Sequence, residues 1–539
     1  MKIYGCYGKK MQHLCSASCQ NIKQLTKSIF FLGACFCRFI LRSANPLWVQ
    51  IFYFISLSFF GFGVLKALKP RTSFTPTTLD LFFTSVSATT VSSMATVEME
   101  VFSNTQLIVM TILMFIGGEV FTSMIGIHFI RSKFKTELDK IASSHSRLST
   151  PNQPIIVDQI ELEIVTKSSP DNSKPEEFHE SYLGSTDKNL RYLSMKYLFF
   201  VILSYLVVIH VIGVIGVSLY LVVIPSAKEV LKNKGLKMFT FSVFTIVSTF
   251  ASCGFVPTNE NMVVFSNNSG LLLMLIPQIL LGNTLYPSSL KFIIWVLGKF
   301  YKKKECKYLL KNTEEVGYKH LLARQHTMFL VATVIGIVVV QVVLFCSMDW
   351  NSEALVGLNR YQKFIGILFQ CVNSRHTGET IVDLSIISPA ILVLFAVMMY
   401  LPPYTSFLPV KDNAHNSESG GRKKRKGKII ENLILSQLSY LTIFIILVCI
   451  TERKKLKDDP LNFNVLNIVL EVISAYGNVG FTTGYSCKRQ LHAEANCEDK
   501  WFGFVGKWSN EGKIILIIVM FFGRLKKFNM DGGKAWLLL

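Results

Sequence analysis

The chain has 539 residues, of which 50% are hydrophobic, with a mean hydropathy of +0.40 and a formal net charge of +21. Apolar runs such as 106–130 and 197–224 exceed the roughly 20 residues that a spanning helix needs. This composition excludes a single soluble domain and predicts an all-α, polytopic membrane protein. The basic residues lie beside the apolar runs, as expected for topology signals, and no basic soluble domain that could bind nucleic acid is visible.

The first part of the chain predicts a basic cytoplasmic segment followed by one pore unit. Residues 1–44 carry seven Lys or Arg and no acid, and the apolar run 30–40 lacks a convincing signal-peptide cleavage site. A spanning helix is predicted at 45–68, ended by Pro70. Residues 78–92 are apolar but too short to span, so we interpret them as a pore helix that precedes a second spanning helix at 104–130.

The same order of spanning helix, short pore segment, small-residue loop and spanning helix occurs four times. The predicted architecture is four repeated units around one central pore, with eight transmembrane helices and both termini in the cytoplasm. The polar stretch 132–191 predicts a partly disordered cytoplasmic linker, and the basic stretches 301–325 and 411–428 predict cytoplasmic loops. The units are 45–131, 192–300, 326–410 and 429–539, with further spanning helices at 192–224, 270–300, 326–348, 384–400, 429–450 and 512–528 and further pore segments at 236–252, 358–375 and 462–476.

The four small-residue loops predict an ion-selectivity filter. Non-helical backbone at membrane depth is tolerated where it lines a watery cavity or is buried in protein, and backbone carbonyls can replace the hydration shell of a cation. Glycine reaches strained conformations cheaply, whereas a Cβ at a positive φ costs on the order of 1 kcal/mol or more. One such glycine alone would indicate a plain turn. The loops are 92–97, 252–257, 376–380 and 478–483, and the predicted filter positions are Ala95, Gly254, Gly378 and Gly480.

Charged residues near the loops suggest further roles in conduction. Rings of carboxylates concentrate cations at a pore mouth, although ordinary solvated loop charge is an equal alternative. Arg524 lies in the last apolar helix, where it either faces the pore as an electrostatic barrier or reaches to water at the helix end. The carboxylates predicted at the outer mouth are Glu98, Glu100, Glu260, Glu379 and Asp383.

Other features leave alternatives open. Cys487 and Cys497 flank a polar stretch on the predicted outer side, where they either form a disulfide or remain free. Asn267 begins a glycosylation sequon, a triplet that often occurs by chance. We expect no cofactor and no resident metal. His210 is a lone histidine in an apolar helix, so an embedded enzyme is disfavoured, and a receptor or scaffold would not need four pore loops.

The loop sequences resemble the plant HKT family of sodium and potassium transporters, relatives of the microbial Trk and Ktr transporters. The resemblance covers about residues 45–535 and rests on VSSMATVEME (91–100), FASCGFVPTNE (250–260), NSRHTG (373–378), YGNVGFTTG (476–484) and Gly523-Arg524-Leu525.

This resemblance implies four pore units in one subunit, a single-layer filter, and passive sodium conduction or sodium–potassium transport. In the family, Ser at the first filter position accompanies sodium selectivity and Gly accompanies potassium permeation as well. Ala95 carries a side chain, as Ser does, so we expect sodium selectivity, with a Na⁺/K⁺ symporter or a mixed uniporter as the alternative. The transported ion is then Na⁺, with K⁺ as the second candidate, and membrane lipid surrounds the protein. The resemblance also implies a homodimer, a plasma-membrane location, and a gate in the third unit of the microbial relatives, which the bulky residues 395–400 make doubtful here.

Overall fold

The computed structural model describes residues 46–146, 176–405, 437–490, 497, 499 and 503–529, and these are folded almost entirely into helices. The chain divides into two compact units, 1–57 and 58–539. In the first unit, the described residues form the beginning of the first helix. The helices are α1 Pro46–Ala67, α2 Thr78–Thr89, α3 Asn104–Gly117, α4 Glu119–Ser146, α5 Glu176–Val223, α6 Pro225–Asn233, α7 Met238–Phe250, α8 Ser269–Gly282, α9 Tyr286–Tyr301, α10 Lys304–Lys311, α11 Thr313–Val316, α12 Arg324–Asp349, α13 Arg360–Asn373, α14 Pro389–Tyr400, α15 Gln437–Thr451, α16 Arg453–Asp458, α17 Val465–Gly477 and α18 Asn510–Asn529.

Within the described residues, three helices are individually long and apolar enough to cross a membrane, and two bent helix pairs raise the number to five. The single spans lie at Trp48–Ala67, Lys188–Val223 and Arg324–Asp349. The pairs α3–α4 and α8–α9 bend by 51° and 83°. The helices α14 and α15 are apolar but shorter. Membrane-spanning helices are therefore present, while the arrangement of eight spans stays a prediction.

The bends occur where the sequence analysis predicted continuous helices at 104–130 and 270–300. Gly118 is extended, with φ −60° and ψ 149°, so it interrupts the helix between α3 and α4. Asn283 lies far from helical geometry, and Pro287 opens α9, where a missing N–H is tolerated. Local hydrophobicity does not report such breaks because both halves of each pair are apolar.

The predicted linker 132–191 is helical at both ends. Helix α4 continues to Ser146, and α5 begins at Glu176. The loop predicted at 301–325 holds the short helices α10 and α11. The predicted segment 1–44, the central part of the linker at 147–175 and the loop 411–428 lie outside the described residues.

Four short helices, α2, α7, α13 and α17, occupy the predicted pore segments. They are 12 to 14 residues long, and each has a mostly buried second half. Polar caps begin three of them: the side chains of Thr77, Asn359 and Asn464 each accept a backbone N–H from the first turn. Such caps satisfy helix donors that lack an intrahelical partner, so the first turn of each of these three short helices is stabilised.

Glycines let α3, α8 and α18 approach the ends of the short helices α2, α7 and α17 closely. A Cβ placed on any of these glycines would lie within 2.1 Å of a backbone carbonyl oxygen, so no side chain fits. The pore-helix residues all stand two positions before a residue with positive φ, which marks them as equivalent. The contacts join Gly117 to Thr89, Gly282 to Phe250, and Gly523 to Tyr476.

Candidate functional site

The loops that follow the four predicted pore helices, α2, α7, α13 and α17, meet around one cavity. This cavity is lined by Ser93, Ala95, Gly254, Gly378 and Gly480 among other residues. Neighbouring loops are in direct contact. A Cβ on Gly254 would lie 1.6 Å from the Thr377 carbonyl oxygen, and one on Gly378 would lie 2.3 Å from the Val479 carbonyl oxygen. The structure thus brings the three predicted glycines together, although they are more than 100 residues apart in the chain.

The structure places Ser93, and not Ala95, at the position of the three glycines. Ser93 has φ +53°, and Gly254, Gly378 and Gly480 have φ +91°, +71° and +101°. Ala95 is not among the residues with positive φ. A Cβ on Gly480 would lie 2.3 Å from the Cβ of Ser93, which closes the ring between the fourth loop and the first.

Ala95, the position predicted from the sequence, therefore lies two residues after the one that matches the three glycines in backbone conformation. The carbonyl oxygen of Ala95 lies against Gly503, since a Cβ on Gly503 would be 2.1 Å away from it. In the first, second and fourth units, the ring residue stands six positions after a serine of the pore helix, namely Ser87, Ser248 or Ser474. Counting from these serines would have found Ser93.

Hydrogen bonds at the ends of the pore helices hold this register. The N–H groups of Ser92, Cys253 and Val479 donate to carbonyls five residues back, at 2.9, 2.8 and 3.0 Å. In the second and fourth loops the glycine N–H also donates to the pore-helix serine, at 3.1 Å for Gly254 and 3.0 Å for Gly480. The loop conformation is thus fixed by the ends of the helices α2, α7 and α17.

Buried polar side chains support the loops from behind. The amide of Asn478 donates to the Ser92 hydroxyl at 2.7 Å and to the Met520 carbonyl at 3.1 Å. Asn283 donates to the Ser252 hydroxyl at 3.0 Å. Because buried polar groups are costly without partners, these bonds favour one arrangement of the ring.

The sequence predicted Glu379 at the outer mouth, but the structure buries its side chain. Its exposed fraction is 0%, and its carboxylate accepts a hydrogen bond from Thr249 of α7 at 2.5 Å. The backbone N–H of Glu379 donates to the Asn373 side chain at 3.2 Å. Glu471 of α17, which the sequence analysis missed, is also fully buried and accepts a hydrogen bond from Thr482.

The remaining predicted mouth carboxylates lie near the cavity, but two are paired with a cation. Lys234 lies 2.8 Å from Glu100 and 2.7 Å from Glu260, and it bridges the first and second loops. Burial lowers the pKa of Lys234, but the hydrogen bonds and charges of these two glutamates outweigh it and raise the pKa overall. Glu98 accepts a hydrogen bond from the Asn259 amide at 3.3 Å.

Asp383 and Arg489 line the cavity together. Asp383 accepts the N–H of Ser385 at 2.9 Å. Arg489, which the sequence analysis did not single out, follows Cys487, and the structure joins Cys487 to Cys497 in a disulfide with a Cα–Cα distance of 5.9 Å. The sequence alone did not decide whether this disulfide forms, because two cysteines ten residues apart can also remain free.

Arg524 of α18 is buried, with an exposed fraction of 1%, and it donates to the carbonyl of Gly117. It therefore does not reach to water at a helix end. Its contact joins the last helix to the point where α3 ends and the bend to α4 begins. The role of Arg524 as a pore barrier stays a prediction.

The surroundings of His210 and the exposure of Asn267 are also defined by the structure. His210 is packed against the rings of Phe115 and Phe250, and its Nδ1 lies 2.7 Å from the Leu206 carbonyl oxygen, as expected for a packed histidine. Asn267 is exposed. Among the described residues, no group of three His, Cys, Asp or Glu side chains is arranged to hold a metal.

Comparison with known proteins identifies the family. The sequence profile of the family described as TrkH, Cation transport protein, matches residues 180–530. The chain is 49% identical to Cation transporter HKT1;3 of Oryza sativa subsp. japonica, over 98% of both chains. The chain belongs to the HKT family of cation transporters. This HKT chain is also 50% identical to Sodium transporter HKT1 of Arabidopsis thaliana, over 88% of this chain and 91% of that one.

Other relatives are more distant. Cation transporter HKT2;4 of Oryza sativa subsp. japonica is 40% identical over 93% of this HKT chain and 96% of its own length. The crystal structure of the potassium transporter TrkH from Vibrio parahaemolyticus has a TM-score of 0.47 and 13% identity, over 90% of this chain and 83% of that one. The family consists of ion transporters and not of enzymes, which confirms the prediction from the sequence.

Proposed function

We propose that this HKT chain conducts Na⁺ passively through a filter formed by its four pore loops, with Ser93, Gly254, Gly378 and Gly480 as the ring residues. The observation that carries the proposal is the ring itself: four positive-φ positions from four separate loops line one cavity. Carbonyl groups around such a ring can replace the hydration shell of a cation.

The preference for sodium rests on Ser93. The family resemblance associates Ser at the first ring position with sodium selectivity, and Ser93 has the geometry of that position. A serine here adds a side chain that the other three positions lack, and it is accommodated at a positive φ despite a cost of roughly 1–2 kcal/mol. One of the relatives near 50% identity is named a sodium transporter, which supports this assignment.

The proposal includes four pore units, eight spans, cytoplasmic termini and a plasma-membrane location. The equivalent glycine contacts in three units support the repeat, since each joins a second helix to its own pore helix. The partly negative C-terminal end of each pore helix leads directly into a ring loop, which favours a cation at the centre.

The test is a voltage-clamp measurement of reversal potentials while external Na⁺ is exchanged for K⁺. For the wild type, we expect the reversal potential to follow Na⁺ and to ignore K⁺. Ser93→Gly should gain K⁺ permeability, because the ring then has four glycines. Ala95→Gly is the matched control and should leave selectivity unchanged.

Two outcomes would contradict the proposal. If Ala95→Gly changes selectivity and Ser93→Gly does not, the ring assignment is wrong. A wild-type reversal potential that follows both ions would replace the sodium uniporter with a mixed uniporter or a Na⁺/K⁺ symporter, and dependence of one ion flux on the other would distinguish these two.

A further inference from the structure

Arg489 is a fixed cation on the wall of a cavity that we assign to cation conduction. It lines the cavity together with Asp383 and the ring residues Ser93 and Gly480. Its guanidinium donates to the carbonyls of Thr483 and Gly484, at 3.3 and 3.4 Å, in the chain that leaves the fourth ring position. Arginine remains protonated at any physiological pH, so a positive charge stands permanently on this side of the ring.

The turn that carries Arg489 is held from several sides. A disulfide joins Cys487, two residues before Arg489, to Cys497, ten positions further along the chain. The N–H of Cys487 donates to Asp499 at 2.7 Å, and the Asn462 amide donates to the Ser486 carbonyl at 3.0 Å. A side chain on such a turn is kept over the cavity instead of moving freely into solvent.

The charges around Arg489 favour an electrostatic role over a simple ion pair. The carboxylates that act on it are Asp383, Asp459 and Asp499, and Asp383 is the one that also lines the cavity. Asp459 accepts from Asn462, and Asp499 accepts the Cys487 N–H, so both are engaged in holding the turn. Lys234 already offsets the charges of Glu100 and of Glu260, which also lines the cavity.

We propose that Arg489 determines specificity and conductance at the entrance: its fixed charge opposes Asp383 and keeps divalent cations out of the filter more strongly than Na⁺. The electrostatic work of bringing a cation past a fixed charge is proportional to the valence of that cation. If the charge of Arg489 lowers the occupancy of Na⁺ by a certain factor, it therefore lowers the occupancy of Ca²⁺ by approximately the square of that factor. This inference rests on the proposed conduction through the four-loop ring.

The experiment compares Arg489→Gln with the wild type under voltage clamp, with Arg489→Lys as the charge-conserving variant. We expect Arg489→Gln to lower the half-saturating Na⁺ concentration by roughly two- to fivefold, a modest effect for a charged cleft. The Ca²⁺ concentration for half-maximal block should fall by roughly four- to 25-fold, because the work doubles with the valence. Arg489→Lys should stay near the wild type, and the reversal potential for Na⁺ over K⁺ should not change.

Lys488→Gln is the matched control because Lys488 is the exposed neighbour of Arg489 and does not line the cavity. It removes the same charge from the same turn and should shift neither concentration. The double variant Cys487→Ser/Cys497→Ser loosens the turn while keeping the charge, and it should shift both concentrations in the direction of Arg489→Gln. High ionic strength should reduce every one of these shifts.

The outcomes separate this inference from the proposed function. If Arg489→Gln reaches the cell surface and neither its Na⁺ saturation nor its Ca²⁺ block changes, the inference about Arg489 is overturned. The proposed conduction through the ring would not be affected by that result. Equal shifts in Lys488→Gln would also overturn it, since they would indicate a general surface-charge effect. If Arg489→Gln does not reach the surface, Asp383→Asn tests the same balance, and it should raise the Ca²⁺ concentration for half-block. A wild type without cation current would overturn the proposed function itself.

Discussion

The ammonium of Lys513 in the last helix, α18, lies 2.8 Å from the carboxylate of Asp80 in the first pore helix, α2. Both residues are buried. The other carboxylate oxygen of Asp80 accepts a hydrogen bond from Thr77 at 2.7 Å. The pair therefore joins two helices that are 433 residues apart in the chain, and it fixes α2 against α18.

Removing one partner of this pair should destabilise the protein strongly. Asp80→Asn leaves the Lys513 charge buried without its carboxylate, and breaking a buried pair in this way costs about 3–5 kcal/mol. The unfolding temperature of the purified protein in detergent measures the loss. The double variant Asp80→Asn/Lys513→Gln should recover part of it, because no charge then remains uncompensated. A single variant as stable as the wild type would contradict the pairing.

A methyl group at Gly523 should disturb the fourth unit. A Cβ there would lie 2.1 Å from the carbonyl oxygen of Tyr476, at the end of pore helix α17. We expect Gly523→Ala to separate the two helices and to destabilise the protein by about 1–3 kcal/mol, as overpacking does. The matched control is Gly336→Ala in α12, where nothing lies within 4 Å of the added carbon. That control should be neutral or slightly stabilising because alanine favours helices.

Neutralising Arg524 should increase the current. The guanidinium is buried and donates to the Gly117 carbonyl, so the charge lies within the helix bundle and not at a solvated helix end. If it acts as the predicted electrostatic barrier, Arg524→Gln raises the single-channel conductance, whereas Arg524→Lys retains most of the barrier. Noise analysis of the currents measures this difference, and equal conductance in all three proteins would exclude the barrier.

Acid pH should weaken the packing around His320. Its Nδ1 lies 3.0 Å from the Tyr404 hydroxyl, which also donates to Glu119 at 3.1 Å. Burial lowers the pKa of His320; Glu119 raises it in part, Lys319 lowers it further, and the packed rings of Tyr286 and Tyr318 carry no charge at neutral pH. The folded protein therefore binds this proton less readily than the unfolded chain.

The lowered pKa of His320 sets the pH range over which the stability changes. An unfolded histidine takes up its proton near pH 6.5, so this contribution to stability is complete above that pH and is lost as the pH falls towards the lower pKa of the folded state. The unfolding temperature at pH 7.5 and 5.5 should differ less in His320→Gln than in the wild type. An equal difference in both proteins would assign the acid sensitivity to other groups.

The sequence by itself determined the membrane class, the places of the four short helices and the family. Long apolar runs and short apolar segments before small-residue loops are local patterns, which can be recognised in the sequence without a structure. Gly254, Gly378 and Gly480 were found in this way because each stands in a similar context. The bend at Gly118 was not found, since an apolar run looks the same whether its helix is straight or broken.

Only the tertiary structure decided which residue completes the ring and where the charges lie. Ser93, and not Ala95, has the backbone conformation of the three glycines. This position depends on how helix α2 ends and on the close approach of Gly480, which is far away in the sequence. Glu379 is buried, and Thr249, 130 residues away in the chain, donates a hydrogen bond to its carboxylate. Contacts of this kind join segments that are distant in sequence, so no local pattern contains them.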